Sequence, residues 1–377
     1  NGFRLKAEKI VVDTATIHNI FPLEFENSIV EMDYYKIRAG DNYTFSGRNF
    51  GIRDTSIVIR DLKFESVYSK KEFARHQKHE KARIDLKVHE LSAKNLLWKL
   101  DSAGLSVRST RFNLDRADLS VYKDKRPSSQ SKEIKPLLTG MIMELPFAVT
   151  IDTLTVLNSY IEYEQFPVLF PRSGKVFFDK MYASAYNVTN DLTQIDKSPK
   201  TLIDVETDFM GEGKLQTNIK LDLLSAKQAF NVTGTLGELP VTYVNQVMTP
   251  LVGVTAEGKV HKMEFEFGGD TYDASGSIIC EYSDLKIEVF DKSRDKKFLK
   301  SAFGNFILRN NNRAGDSIGY KEGEIYFIRY QNKDFFNYLW NSVRVGLMDI
   351  VVPFYKNPDK SRSSSAPKFK EDKPLPG

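Results

Sequence analysis

Apolar and polar residues alternate one by one along most of this chain. In residues 214–223, KLQTNIKLDL, the side chains of Leu215, Thr217, Ile219, Leu221 and Leu223 fall on one side of an extended backbone. Lys214, Gln216, Asn218, Lys220 and Asp222 fall on the other. Strand side chains project to alternate faces, so this spacing predicts a strand with one dry and one wet face. The same beat runs through Ile203, Val205 and Phe209, through Ile84, Leu86 and Val88, and through Met263, Phe265 and Phe267, with charged residues between them. A six-point template also recurs. Ile10, Val12, Asp13, Thr14, Ala15 and Ile17 are matched by Phe112, Leu114, Asp115, Arg116, Ala117 and Leu119, and again by Leu154, Val156, Leu157, Asn158, Ser159 and Ile161. Its Asp/Asn and Ser/Thr/Ala centre predicts a tight turn or sharp bend between two short strands, hence a meander of recurring hairpin units.

Strand patterns fill Phe3 to about Tyr122, interrupted by the charged stretch 69–82, and resume from 147 to about Tyr330. Between them RPSSQSKEIKP, 126–136, has no apolar period and reads as a linker or long loop. The chain therefore divides into a first β-rich segment, 1–125, the linker, a second β-rich segment, 137–355, and a Lys/Ser/Pro tail, 356–377, expected to be disordered. Short helices are predicted at 137–145, before Pro146, and at 241–249, closed by Pro250. Over 334–352 the period changes to that of a helix, with Phe335, Phe336, Leu339, Trp340, Val343, Leu347, Ile350 and Val351 on one face. Arg344 and Asp349 argue against a membrane span, so the expected role is to cap the open end of a sheet, with contact at a membrane interface as the alternative. The fold class is all-β and mainly antiparallel, with a few short helices and a C-terminal amphipathic helix.

Composition narrows the function. With 28% charged and 41% apolar residues, the 377-residue chain is neither disordered nor membrane-embedded in type. Its 54 basic and 50 acidic residues are interspersed rather than gathered into a stripe, which disfavours nucleic acid as a partner. One cysteine, Cys280, excludes an intrachain disulfide framework and sits on the apolar beat of its strand, as a small buried hydrophobe would. The chain starts at Asn1 with no secretory signal, as expected of a fragment of something longer.

No nucleophile elbow, phosphate-binding glycine loop, zincin helix or paired-cysteine site is present, so no catalytic residue, metal site or cofactor is assigned. His89-Glu90 opens like a zincin motif, but Ala93 stands where the second histidine belongs. Glu72, His76, His79 and Glu80 would share one helix face, yet the lysines among them favour a solvated charged loop.

Three stretches resemble the AsmA-like family of Gram-negative envelope proteins. They are RIDLKVHELSAKNLLWKLDSAGLSVRSTRFNLDRADLSVYKDKRP at 83–127, ELPFAVTIDTLTVLNSYIEYEQF at 144–166, and a C-terminal region running from GEGKLQTNIKLDL at 211–223 through 237–278 to EYSDLKIEVF at 281–290. Gly258, Gly276, Tyr282 and Leu285 match the family's layout of a glycine-led strand followed by a tyrosine-containing one. The resemblance implies a periplasmic β-rich region behind an N-terminal inner-membrane anchor that these residues do not include. It also implies strands curled into a long groove with an apolar floor, as in bridge-like lipid-transfer proteins.

One-sided strands hide their dry face by packing two sheets, or by curling one sheet into a gutter. Moving a lipid through water exposes its chains at about 0.8 kcal/mol per methylene, on the order of 20 kcal/mol for two long chains, and a continuous apolar floor removes most of that barrier. The expectation is therefore an elongated curled sheet forming a groove, without enzymatic activity, that binds phospholipid or another envelope lipid. Its floor is expected to be Ile10, Val12, Ile17, Phe112, Leu114, Leu119, Leu154, Val156, Ile161, Leu215, Ile219, Leu221, Phe265 and Phe267. Further partners would be outer-membrane or envelope proteins. The alternative is a structural or interaction protein of the envelope or cell surface with a closed β-sandwich core; an enzyme acting on glycans ranks third.

Overall fold

The structure, a computed structural model, describes residues 3–6, 9–11, 24–26, 29–53, 55–77, 80–101, 104–126, 133–289, 308–315 and 319–363. The first part of the chain forms β1 (Phe3–Lys6), β2 (Lys9–Val11), β3 (Glu24–Glu26), β4 (Ile29–Ala39), β5 (Tyr43–Arg53), β6 (Ser56–Ser66), helix α1 (Lys70–His76), β7 (Ala82–Lys94), β8 (Leu97–Asp101) and β9 (Gly104–Asp124). Helix α2 (Leu138–Met143) then leads into β10 (Ala148–Phe166), β11 (Gly174–Thr189), α3 (Leu192–Ile195), β12 (Lys200–Phe209), β13 (Gly213–Asp222), β14 (Phe230–Leu236) and β15 (Leu239–Pro240). A 3-10 turn (Val241–Val244) precedes α4 (Asn245–Val252), β16 (Val254–Gly269), β17 (Asp273–Val289), β18 (Gly323–Ile328), α5 (Phe335–Val351) and α6 (Pro358–Ser363).

All strands except β2 and β3, which pair as a separate ribbon, join one open sheet of sixteen. Fourteen follow one another in the order β1-β4-β5-β6-β7-β9-β10-β11-β12-β13-β14-β16-β17-β18, so the sheet spans roughly 60 Å across the strands at ~4.8 Å per step. The strands on either side of residues 126–136, β9 and β10, are direct neighbours in the sheet. They pair in parallel, because the connection through α2 returns the chain to the end from which β9 started, whereas every other pairing is antiparallel.

The hairpin reading of the template is wrong. Phe112 to Leu119 and Leu154 to Ile161 each lie inside a single long strand, β9 and β10. At the template's centre the backbone takes one left-handed residue, Arg116 (φ 50) and Asn158 (φ 44), and neighbouring strands do the same at Asn49 (φ 47), Asp61 (φ 46) and Lys180 (φ 47). These positions line up across β5, β6, β9, β10 and β11 as a crease. Such a residue makes the alternation skip one beat, bending the strand as a bulge does. Phe112 and Leu114 before the crease thereby share a face with Ala117, Leu119 and Val121 after it. The copy of the template at 10–17 lies largely outside the described residues.

Helices cover only part of the sheet. Leu137 and Ile142 with α2, Val241 and Val244 from the 3-10 turn, and Phe335, Tyr338, Val345 and Ile350 of α5 pack on Ile219, Leu221, Phe230, Val232, Phe267 and Ile278. α5 packs on the face of the sheet over β17 and β18 rather than across its open end, and its buried stripe is Phe335, Tyr338, Ser342, Val345, Gly346 and Ile350, a face rotated from the expected one, with Trp340 exposed. α4 continues through Pro250 to Val252 and ends at Gly253 in the left-handed conformation (φ 68). The tail is ordered through α6, and Asn357 Nδ2 donates to the Tyr326 carbonyl on β18; residues 364–377 lie outside the description. No helix among the described residues is long and apolar enough to cross a membrane.

Candidate functional site

The site is a face rather than a pocket. Cross-strand partners share a face, and following them gives one line: Leu5, Val30, Ile52, Ile57, Ala93, Phe112, Leu154, Ala185, Ile203, Ile219, Val232, Phe267, Gly276, Ile325. It crosses all fourteen strands without a polar residue. Beyond the crease a second line, Ile37, Phe45, Phe64, Leu86, Leu119, Ile161, Phe178 and Phe209, repeats the pattern on β4 to β12.

The register places Phe112, Leu114, Leu119, Leu154, Val156, Ile161, Leu215, Ile219, Leu221, Phe265 and Phe267 on this one face. Ile10 does not join them: it pairs with Phe25 in the β2–β3 ribbon. Val12 and Ile17 lie outside the described residues.

The face has two regimes. Over β11 to β18 it is covered, and Ile219, Leu221 and Phe267 are buried beneath or beside the helices. Over β4 to β9 the packed cluster consists of strand residues alone: Ile59, Leu62, Val88 and Ala117 are buried among Tyr35, Phe45, Phe50, Ile57, Leu86, Leu91 and Leu114. No helix residue belongs to that cluster; α1 packs beside it, with Phe73 buried and its ring 6.0 Å from that of Tyr43, which stacks on Phe64. Phe112, Leu114, Leu119, Leu154, Val156 and Ile161 are accordingly half-buried, and Ile37 keeps 58% of its surface exposed. The boundary between the regimes is Phe336 of α5, whose ring is 5.8 Å from that of Tyr163 on β10 and 5.9 Å from that of Phe178 on β11.

Beside this boundary lies a charged cluster that the sequence reading did not single out. Glu80, just before β7, receives Lys123 and Lys125 from the end of β9, and Lys333 from the approach to α5. Burial pushes Lys125 down to about 8 against the pull of Glu80. Burial also works to raise Glu80, but the hydrogen bonds from Lys125 and Lys123 outweigh it and hold the carboxyl below its ordinary value. The signal was available: Lys123 falls on the apolar beat of Ala117, Leu119 and Val121.

The histidine-carboxylate group of the 69–82 stretch is not assembled for metal. Glu72 closes a capping box with Ser69, His76 stacks on Tyr68 at 4.2 Å, and Glu80 binds lysines; His79 lies outside the described residues. No metal-ligating group of three is present among the described residues. A recess around Gly234 is lined by Gln216, Asn218, Thr233, Glu264 and Glu266 together with Phe265 and Ile279.

Comparison with known protein families and with curated proteins finds no match for this chain.

Proposed function

We propose that this chain is the non-enzymatic lipid-binding groove of an AsmA-like envelope protein, working in the periplasm. In this reading it carries phospholipid or another envelope lipid between the inner and outer membranes and supports outer-membrane biogenesis or lipid homeostasis. The observation that carries it is the apolar line across fourteen strands, whose packed cluster over β4 to β9 is made of strand residues alone. A face of this kind offers acyl chains a continuous surface, and the lipid gains about 0.8 kcal/mol for each methylene removed from water. The polar opposite face, where Lys214, Gln216, Asn218 and Lys220 alternate with the floor, keeps the outside wet. The reading as a structural or interaction protein with a closed core draws on the covered half, where α5 seals the sheet.

The test separates the two regimes. Purified protein should carry co-purifying lipid, seen by native mass spectrometry. Replacing the cross-strand neighbours Leu119 and Ile161 with aspartate should abolish that lipid and leave the far-ultraviolet circular dichroism unchanged, since the uncovered floor hydrates both carboxylates. Phe267→Asp, in the covered half, should unfold the protein, because an unpaired buried carboxylate costs several kcal/mol. A parent protein free of lipid, together with unfolding of the Leu119/Ile161 variant, would sink the groove reading.

A further inference from the structure

Where the uncovered floor meets the helix-covered half, positive charge is in excess. Glu80 Oε1 lies 3.0 Å from Lys123 Nζ, 2.5 Å from Lys125 Nζ and 3.6 Å from Lys333 Nζ. The four side chains are largely removed from water, with 5% of Glu80 exposed, 12% of Lys123, 20% of Lys125 and 16% of Lys333. Three ammonium groups face one carboxylate, three positive against one negative, and the cluster carries a formal +2.

Of the neighbouring acids, Asp124 is held by Arg126, Glu164 by Lys70 and Ser173, and Glu133 by Lys135, while Asp334 accepts the Asn337 N–H at the start of α5. Excess charge taken out of water is costly unless a counter-charge joins it. Three ammonium groups around one carboxylate suit an anion with several acceptor oxygens, the chemistry of a phosphate. Its place is specific as well. Lys123 is the next step on the apolar beat after Leu119 and Val121, with Gln165 beside it, and Tyr163 and Phe336 meet close by.

We propose that Lys123, Lys125 and Lys333 bind a phosphate ester, the head group of a lipid whose chains lie on the uncovered floor, an assignment that rests on the groove reading. The apolar face then holds the chains, and the lysines fix the polar end. The depressed Lys125 ammonium is the group a bound phosphate would return to its ordinary range.

The experiment titrates the full chain by calorimetry with three probes: dihexanoylphosphatidic acid, dihexanoylglycerol and inorganic phosphate. Parent protein should bind the phosphatidic acid at least tenfold more tightly than the diacylglycerol. Lys333→Gln leaves Lys123 and Lys125 on Glu80, so the fold is kept. It should reduce that preference roughly tenfold, the worth of one charge-assisted contact, with diacylglycerol binding unchanged. Glu80→Gln removes the internal competitor and should tighten both phosphate-bearing probes. Equal affinity for the two lipids in the parent, or a preference that neither variant moves, overturns the head-group site while leaving the groove standing. Binding of inorganic phosphate alone, sensitive to both variants, would replace a lipid site by a free-phosphate site and remove the groove reading with it. Failure of all three probes overturns both.

Discussion

Ser159 shows how single residues let long strands bend. Its hydroxyl accepts the Ala117 N–H at 2.8 Å and donates to the Leu157 carbonyl at 2.9 Å, bridging β9 and β10 beside the left-handed Asn158. The crease withdraws these backbone groups from the regular ladder, and a buried unpaired N–H costs about 1–3 kcal/mol. Other creases use the same device. The Thr207 hydroxyl donates to the Asp179 carbonyl beside Lys180 and Thr201 to that of Asn187 (φ 59), and at the β7–β8 connection Ser109 donates to that of Lys94 beside Asn95 (φ 50). All four hydroxyl residues are buried, and the creases account for why polar side chains sit within the sheet. Ser159→Ala should therefore destabilise by about 1–3 kcal/mol in urea denaturation, whereas Ser159→Thr, which keeps the hydroxyl, should lose less. An unchanged midpoint for the alanine variant would show that the Ala117 N–H finds another partner.

Among the elements, strands were legible and their interruptions were not. Alternation identified the faces of β7, β12, β13 and β16 from sequence, because each has one wet side. Asn158 and Arg116 read as turn formers because αL residues mostly occur there. What keeps them inside strands is pairing on both sides, a non-local property that no window of the sequence contains. Helix α5 fails in another way: its extent was legible, but the buried stripe includes Tyr338, Ser342 and Gly346, which a count of hydrophobic residues passes over. Gly346 is there because nothing larger fits. A Cβ at that position would stand 2.4 Å from Ile278 Cγ2 and 2.8 Å from Ile325 Cγ1. Gly346→Ala gains about 1 kcal/mol of helix propensity but overpacks the seam against β17 and β18 at a typical cost of about 1–3 kcal/mol. Thermal denaturation should show a lowered midpoint. A raised one would mean that α5 shifts away from the sheet without loss.

For the whole molecule, an open sheet has two edges as well as two faces, and an unguarded edge recruits further strands. The β18 edge is occupied by the chain that follows α5. The Ile328 N–H donates to Asp359 Oδ2 at 3.1 Å, Asn357 Nδ2 donates to the Tyr326 carbonyl at 2.6 Å, and Lys360 pairs with Glu324. A segment that reads as a featureless tail by composition thus closes the side of the sheet where the covered half ends, with the strand-only cluster at the other side. Edge protection and an accessible apolar face are compatible only if the two are kept apart, and here about half the sheet separates them. The double variant Asn357→Ala, Asp359→Ala frees one backbone donor and one acceptor on β18 without touching the floor. Light scattering after size exclusion should show a shift toward larger species as protein concentration rises, while lipid carried per chain stays constant. A mass distribution identical to the parent's would show that β18 needs no guard, and a loss of lipid with intact mass would tie this edge to the floor.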